Sequence, residues 1–342
     1  MRVRYPGVLV VLGGVVLLTL VGGTAKSSAS TTESCAGGRP LCVAITDTDF
    51  VSKSTPTNAR YMKFAVTVRN SGTTSQLTNV TLVLTLTDVL GDGSTVPSSA
   101  VYIAAQSTSQ CRQTSTNVLS CTVPNLAAGQ SATFDPLVWS TSTGASVTAS
   151  RMTAAAHAKE TVNDRPPSDP QIDTATATND TTYETSADRA ASYAFGGSTI
   201  SLNTAPSSIQ STVFPFTVPA TASPFVATLE EFSPAGSFCP TCFGQIVRTS
   251  VGAGVFSQFN PIEITATTNL SLVPNGVTAA TLVVLHRHDD GSVTTISHSC
   301  SGAIGTMPPA SELPCRRVAF DHMAGTAITD AWDFSNGDWG FS

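Results

Sequence analysis

In NVTLVLTLTD, from Asn79 to Asp88, apolar and polar residues alternate so strictly that the segment reads as one kind of element. A strand sends successive side chains to opposite faces. Val80, Leu82, Leu84 and Leu86 therefore share a core face, and Thr81, Val83, Thr85 and Thr87 share a mostly wet one. Tyr61–Arg69 (YMKFAVTVR) repeats the pattern through Met62, Phe64, Val66 and Val68, after which Asn70, Ser71 and Gly72 turn the chain. Leu41–Phe50 (LCVAITDTDF) alternates well enough to be a strand ahead of them. Short alternating strands separated by turn residues are what a β-sandwich requires, and we expect one here, centred on Tyr61 to Trp139.

The second half carries the same signal. Candidate strands are Thr212–Val218, Phe225–Phe232, Phe243–Val251, Ile262–Thr267, Thr281–His288, Val293–Cys300, Arg317–Phe320, Ala327–Phe334 and Trp339–Phe341. Asp289, Asp290 and Gly291, set between two alternating runs, are the clearest hairpin turn in the chain. A second antiparallel sandwich or jelly-roll-like sheet pair over 199–342 is expected, making the whole chain all-β. The abundance of Thr, Ser, Val, Ala and Gly agrees with strands and turns.

Ahead of both domains, Arg2 and Arg4 precede an apolar run from Val8 to Val21 and then the small residues GGTAKSSAS. This is the pattern of a secretory signal peptide over residues 1–29, cut after Ala25 or Ala29. A membrane span needs roughly twenty apolar residues, and Gly13, Gly14, Gly22 and Gly23 weaken this run further. An extracellular protein, free or loosely associated with the cell wall, is expected. Seventeen basic against twenty-three acidic residues give a net charge of −6. Losing Arg2 and Arg4 makes the balance more acidic, which argues against nucleic acid as a partner.

The eight cysteines fall into two groups of four, as disulfides within each domain of an exported chain would require. Cys35 with Cys42, Cys111 with Cys121, Cys300 with Cys315 and Cys239 with Cys242 is the pairing we expect. Because CPTC closes a very tight ring, a crossing from Cys239 or Cys242 to Cys300 or Cys315 is the alternative. A zinc site at CPTC would need a second, similarly spaced pair, and Cys300 and Cys315 are too far apart to supply it.

The strand ending VTVRNSG, then TNVTLVLTLTD, the cysteine loop CRQTSTNVLSC and the run VPNLAAGQSATF together resemble the DUF11 domain, an Ig-like module repeated in bacterial surface proteins. The match covers roughly Ile45 to Ala156. Its most specific part is the order Asp88, Cys111, Cys121, Leu126, Gly129 and Ser131. The usual proline is absent at Val89 to Gly91, and only one copy is present. The resemblance implies a seven-strand sandwich without an active site of its own.

Between the domains, residues 157–198 are acidic and rich in proline and threonine, with Pro166, Pro167 and Pro170 stiffening them, and they read as a solvated linker. Within them, KETVNDRPPSDPQIDTATA is similar to a stretch that often follows such modules, which implies an ordered edge. Asp164, Asp169 and Asp173 could chelate calcium there, and Asp88, Asp92 and Asp135 could do so in the first domain. Neither set has DxDxDG spacing, so a hinge and turn-capping roles are the expected readings.

Candidate chemistry concentrates in the second half. His286 and His288 lie two apart on a strand, hence on one face, and HRHDD is superficially similar to the HxHxDH run of metallo-β-lactamase-like hydrolases. Gly291 or Ser292 stands where that motif's third histidine belongs, so a metal would need His298 or His322 to converge. Trp332, Phe334, Trp339 and Phe341 could form a flat platform for sugars, or close the core. No GxSxG, HExxH or phosphate-binding loop occurs, and CPTC lacks a thioredoxin-like context. Asn79, Asn179 and Asn269 head glycosylation sequons, which matter only in a glycosylating host. The expectation is a secreted or surface-associated scaffold or adhesion-type protein, non-enzymatic and without a cofactor, whose cell-wall, glycan or protein partner is unknown. A glycan-binding module using Trp332 and Trp339, and a metal-dependent hydrolase centred on His286 and His288, are the alternatives.

Overall fold

The computed structural model describes residues 31–47, 52–54, 59–140, 147–161, 171–182, 188–204 and 209–342. The signal-peptide segment, Ala25 and Ala29, and two of the linker acids, Asp164 and Asp169, lie outside these residues. Among the described residues antiparallel strands make up almost all of the regular structure, with three short 3-10 turns, so the chain is all-β.

The first sandwich contains β1 (Thr31–Cys35), β2 (Leu41–Asp47), β3 (Ser52–Ser54), β4 (Ala59–Asn70), β5 (Gln76–Leu90), β6 (Thr95–Pro97) and β7 (Ala100–Tyr102). It continues through β8 (Cys111–Ser115), β9 (Val118–Thr122), β10 (Ser131–Phe134), β11 (Leu137–Ser140), β12 (Val147–Thr161) and β13 (Gln171–Thr182). One sheet runs β1-β2-β4-β11-β7, with β3 and β10 also on β4; the other runs β13-β12-β5-β9-β8, with β6 on β5. Met62, Phe64, Val66 and Val68 of β4 meet Val80, Leu82, Leu84 and Leu86 of β5 in the core, as the alternation requires.

The expected linker is ordered in part, as the likeness of KETVNDRPPSDPQIDTATA to a stretch that follows such modules implied, and strand replaces the solvated hinge there. Residues 157–161 complete β12, and Gln171–Thr182 forms β13, paired with β12 along its whole length from Ala149↔Thr182 to Glu160↔Gln171. The inward residues of these strands are alanines, Ala154, Ala156 and Ala158 facing Ala175 and Ala177. Their small size lets the two sheets converge at this edge, so that Asn179 Nδ2 donates across to the Ile45 carbonyl at 3.3 Å. A methyl side chain buries too little surface to make a strand conspicuous in sequence, yet the ladder forms because β5 offers a long partner.

The second sandwich begins earlier than residue 199, with β14 (Arg189–Ala194). It contains β15 (Thr199–Asn203), β16 (Gln210–Thr217), β17 (Phe225–Phe232), β18 (Phe243–Ser250) and β19 (Ile262–Asn269). Then come β20 (Val284–His288), β21 (Val293–Ile296), β22 (Cys315–Asp321), β23 (Thr326–Asp333) and β24 (Gly337–Phe341). The sheets are β14-β17-β18-β24-β20-β21 and β15-β16-β19-β23-β22. Their inner faces bury Phe214, Phe216, Phe225, Ile264, Val284 and Phe341.

All eight cysteines are disulfide-bonded, as Cys35–Cys42, Cys111–Cys121, Cys239–Cys242 and Cys300–Cys315. The last two have matching roles. The loop holding Cys239 and Cys242 packs on Ile246 of one sheet, and the loop closed by Cys300 and Cys315 packs on Trp332 of the other.

The sandwiches share a seam. Ile103, Leu137 and Trp139 of the first belong to the same buried cluster as the core of the second. Trp139 stacks on Tyr193, with ring centroids 6.4 Å apart. Gln106 treats the Val226 backbone as a strand would: its Nε2 donates to the carbonyl at 3.0 Å and its Oε1 accepts from the N–H at 2.7 Å.

Candidate functional site

β20 places His286 and His288 on one side, their ring centroids 4.3 Å apart. His286 is fully buried. Its Nδ1 lies 2.7 Å from Asp333 Oδ2, on the opposite sheet, and its Nε2 lies 3.2 Å from the Asn336 carbonyl oxygen. Both ring nitrogens of His286 therefore have an oxygen partner within hydrogen-bond distance. The ring also lies flat on Trp339, 3.7 Å between centroids and 11° between planes, so the indole face completes its surroundings. Asp333 accepts in addition from the Phe334 N–H at 2.7 Å. His288, nearer the solvent, bonds Ser335 Oγ through Nδ1 at 2.6 Å and Thr294 Oγ1 through Nε2 at 2.8 Å.

His286, His288 and Asp333 bring three ligand-type atoms within 4.8 Å of one another. A zinc ligand must turn a lone pair toward a common, accessible point. Here every ring nitrogen already has a partner, and the side of His286 Nε2 is closed by backbone. Gly337, at φ +152°, passes so close that a Cβ on it would lie 2.7 Å from that nitrogen. The residues therefore do not fit a metal; they form a hydrogen-bonded post between the two sheets. His298 and His322, the third ligands considered from sequence, are both exposed and take no part in this group. The other close set, Glu33 with Cys35 and Cys42, has its sulfurs in a disulfide.

The aromatic tail is core. Trp339 is fully buried and donates through Nε1 to Thr249 Oγ1 at 3.3 Å, while Trp332 is buried against the Cys300–Cys315 disulfide. Phe341 is buried as well, leaving only Phe334 partly accessible. A sugar platform needs exposed faces, and neither tryptophan offers one. Of the proposed calcium acids, Asp88 is buried in β5 and accepts from Ser150 Oγ, whereas Asp92 caps its own turn by accepting from the N–H and Oγ of Ser94. Those two bonds hold the Asp92 carboxyl below its ordinary value. Among the described residues Asp88, Asp92 and Asp135 do not come together as a ligand set.

Two polar groups escaped the sequence reading. Gln210, opposite Thr268 in the β16–β19 ladder, reaches across the second sandwich to the backbone of Gln245: its Oε1 accepts from the N–H at 3.1 Å and its Nε2 donates to the carbonyl at 3.3 Å. Glu231 completes this group, accepting from Thr212 Oγ1 at 2.5 Å and from Gln210 Nε2 at 3.2 Å. Burial pushes the Glu231 carboxyl up despite these bonds.

On the outer face of the other sheet, Asp338 of β24 lies between Arg248 of β18 and Arg287 of β20. Arg248 grips it with Nε at 2.7 Å and Nη2 at 3.1 Å, and Arg287 adds Nη2. Burial would raise Asp338, but the two guanidiniums outweigh it and hold the carboxyl below its ordinary value. The arginine planes rest on Phe232 and Phe238.

The fold and its polar groups define an all-β protein of two joined sandwiches, the second of which has buried polar side chains linking its two sheets. Searches against protein-family models, curated proteins and solved structures found no match.

Proposed function

We propose that this protein is a non-enzymatic, secreted or cell-surface-associated scaffold in which the first sandwich presents the second outside the cell. The seam carries this reading: Trp139 and Gln106 join the two sandwiches through both apolar packing and paired backbone hydrogen bonds. A module that presents a partner surface benefits from a fixed orientation, because less freedom is lost when the partner docks. The leader-like segment, the disulfides and the resemblance to the DUF11 module support an extracellular setting. The closed hydrogen bonding of His286 and His288 supports a structural role over a hydrolytic one.

Expression of the full chain in a bacterial host, with fractionation and N-terminal sequencing, tests the setting. The mature protein is expected in the medium or released from the wall by salt, starting after Ala25 or Ala29. Retention in the cytoplasm with Met1 in place overturns it. Metal analysis tests the role: stoichiometric zinc lost on His286→Ala would restore the hydrolase reading, and its absence is the expected result.

A further inference from the structure

Beneath the loop closed by Cys300 and Cys315, the outer face of the second sheet holds a compact group of charges. Asp330 of β23 is fully buried, and its Oδ2 accepts from Arg317 Nη1 at 2.8 Å and from the Gly305 N–H at 3.1 Å. Arg317, opposite Asp330 on β22, donates through Nε at 3.0 Å and also through Nη2 to the Ser301 carbonyl. One ion pair thus secures the loop twice, Asp330 at Gly305 and Arg317 at Ser301.

A second carboxyl sits beside this pair. Glu263 of β19 lies opposite Trp332 and one pleat from the Thr265↔Asp330 position, on the same face as Asp330. Asp330 Oδ1, buried and without a hydrogen-bond partner, is the acceptor that a protonated Glu263 carboxyl can turn to. Burial first, and then the Asp330 charge, push Glu263 up to about 7, against smaller opposing effects of Thr265 and Arg317.

We propose that Glu263 and Asp330 form a proton-dependent latch: with Glu263 protonated the loop 301–309 is held on the sheet, and ionisation of Glu263 loosens it. An ionised Glu263 places a second negative charge against Asp330 and competes for Arg317, the guanidinium that holds Ser301. Among the described residues the one positive charge acting on Glu263 is Arg317, which Asp330 and the Ser301 carbonyl already engage. β16 and β15, on the other side of β19, contain no titratable residue. At the root of the loop, Glu312 accepts from the Ser301 N–H at 2.7 Å, and that bond, with smaller effects of His298 and Arg317, keeps its carboxyl below the ordinary value. Glu312 therefore stays ionised while Glu263 titrates.

Hydrogen exchange on the full chain between about pH 6 and about pH 8, corrected for intrinsic rates, tests the latch. Protection of residues 301–309 is expected to fall roughly tenfold across that interval in the native protein, and to stay constant in Glu263→Gln, which keeps the shape and cannot ionise. Flat protection in the native protein, or the same loss in Glu263→Gln, overturns the proposal. A carbon-13 titration of the native Glu263 carboxyl decides the matter without a variant: a midpoint in the ordinary carboxylate range overturns the latch, and one near neutrality supports it.

Discussion

The Asp333 carboxylate crosses the interior of the second sandwich to meet the His286 imidazole at 2.7 Å, tying β23 of one sheet to β20 of the other. The indole of Trp339 covers one ring face, and backbone closes the remaining nitrogen. Catalysis and metal binding both need an open approach to a histidine, and this pair has spent its hydrogen bonds on holding the sheets together.

Removing one partner of a buried pair strands the other. Asp333→Ala is expected to cost about 1–3 kcal/mol in urea unfolding, and His286→Ala a similar amount, since each leaves a buried polar group without its hydrogen bond. The double variant should lose clearly less than the sum, because the two residues act on each other. Additive losses would show that each is held by its remaining neighbours.

At the seam, Gln106→Ala leaves the Val226 N–H and carbonyl without the partners they have in the native protein. The expected cost is about 1–3 kcal/mol, with faster exchange at the Val226 amide. Trp139→Ala removes a large apolar contact and should also lengthen the particle in small-angle scattering as the sandwiches part. An unchanged scattering profile would show that the seam is not what orients them.

The disulfides of the second sandwich should differ in worth by the length of chain each closes. Cys300 and Cys315 are 15 residues apart and Cys239 and Cys242 only 3. On the chain-entropy account, replacing the first pair by serines costs about 3 kcal/mol and the second about 1.5 kcal/mol. Denaturant midpoints of the two double-serine variants provide the comparison, and the reverse order would point to packing around Cys239 and Cys242 as the larger contribution.

Stability should peak in mildly acidic solution. Glu263 has its carboxyl raised from 4.5 to about 7, so the folded state binds more protons than the unfolded state between those values. The stability it contributes is present below the unfolded value and lost as pH rises toward 7. Glu231 acts in the same direction. Asp338, held low by its arginines, acts oppositely: its contribution is present above its ordinary value and lost as pH falls through its lowered one. Melting temperatures of native protein and Glu263→Gln across this range test the first slope, which the variant should flatten.

How much of this was legible depended on the size of the side chains. Leucines and valines at every second position made β4 and β5 plain, and the large apolar residues of Phe225–Phe232 marked β17 at its observed ends. Ala154, Ala156, Ala158, Ala175 and Ala177 alternate equally well, but methyl groups among threonines and acids look like a solvated linker until β5 is seen beside them. The histidines were visible as a pair on one strand; Asp333, the partner of His286, was not. One signal did exist, since Ala327, Thr329, Ala331 and Asp333 share the inward register of β23, and an acid there requires a buried partner.

The sequence by itself pointed to an all-β chain, because alternation is a property of neighbouring residues; it left open whether Cys239 or Cys242 crosses to Cys300 or Cys315, and the structure decides for the two local loops. Only the tertiary structure decided that His286 meets Asp333, that Gln106 pairs with Val226 and that both tryptophans lie inside. Alternation tells a strand which face to bury but not which strand will lie across the core, and that choice set the partners of His286 and Gln210.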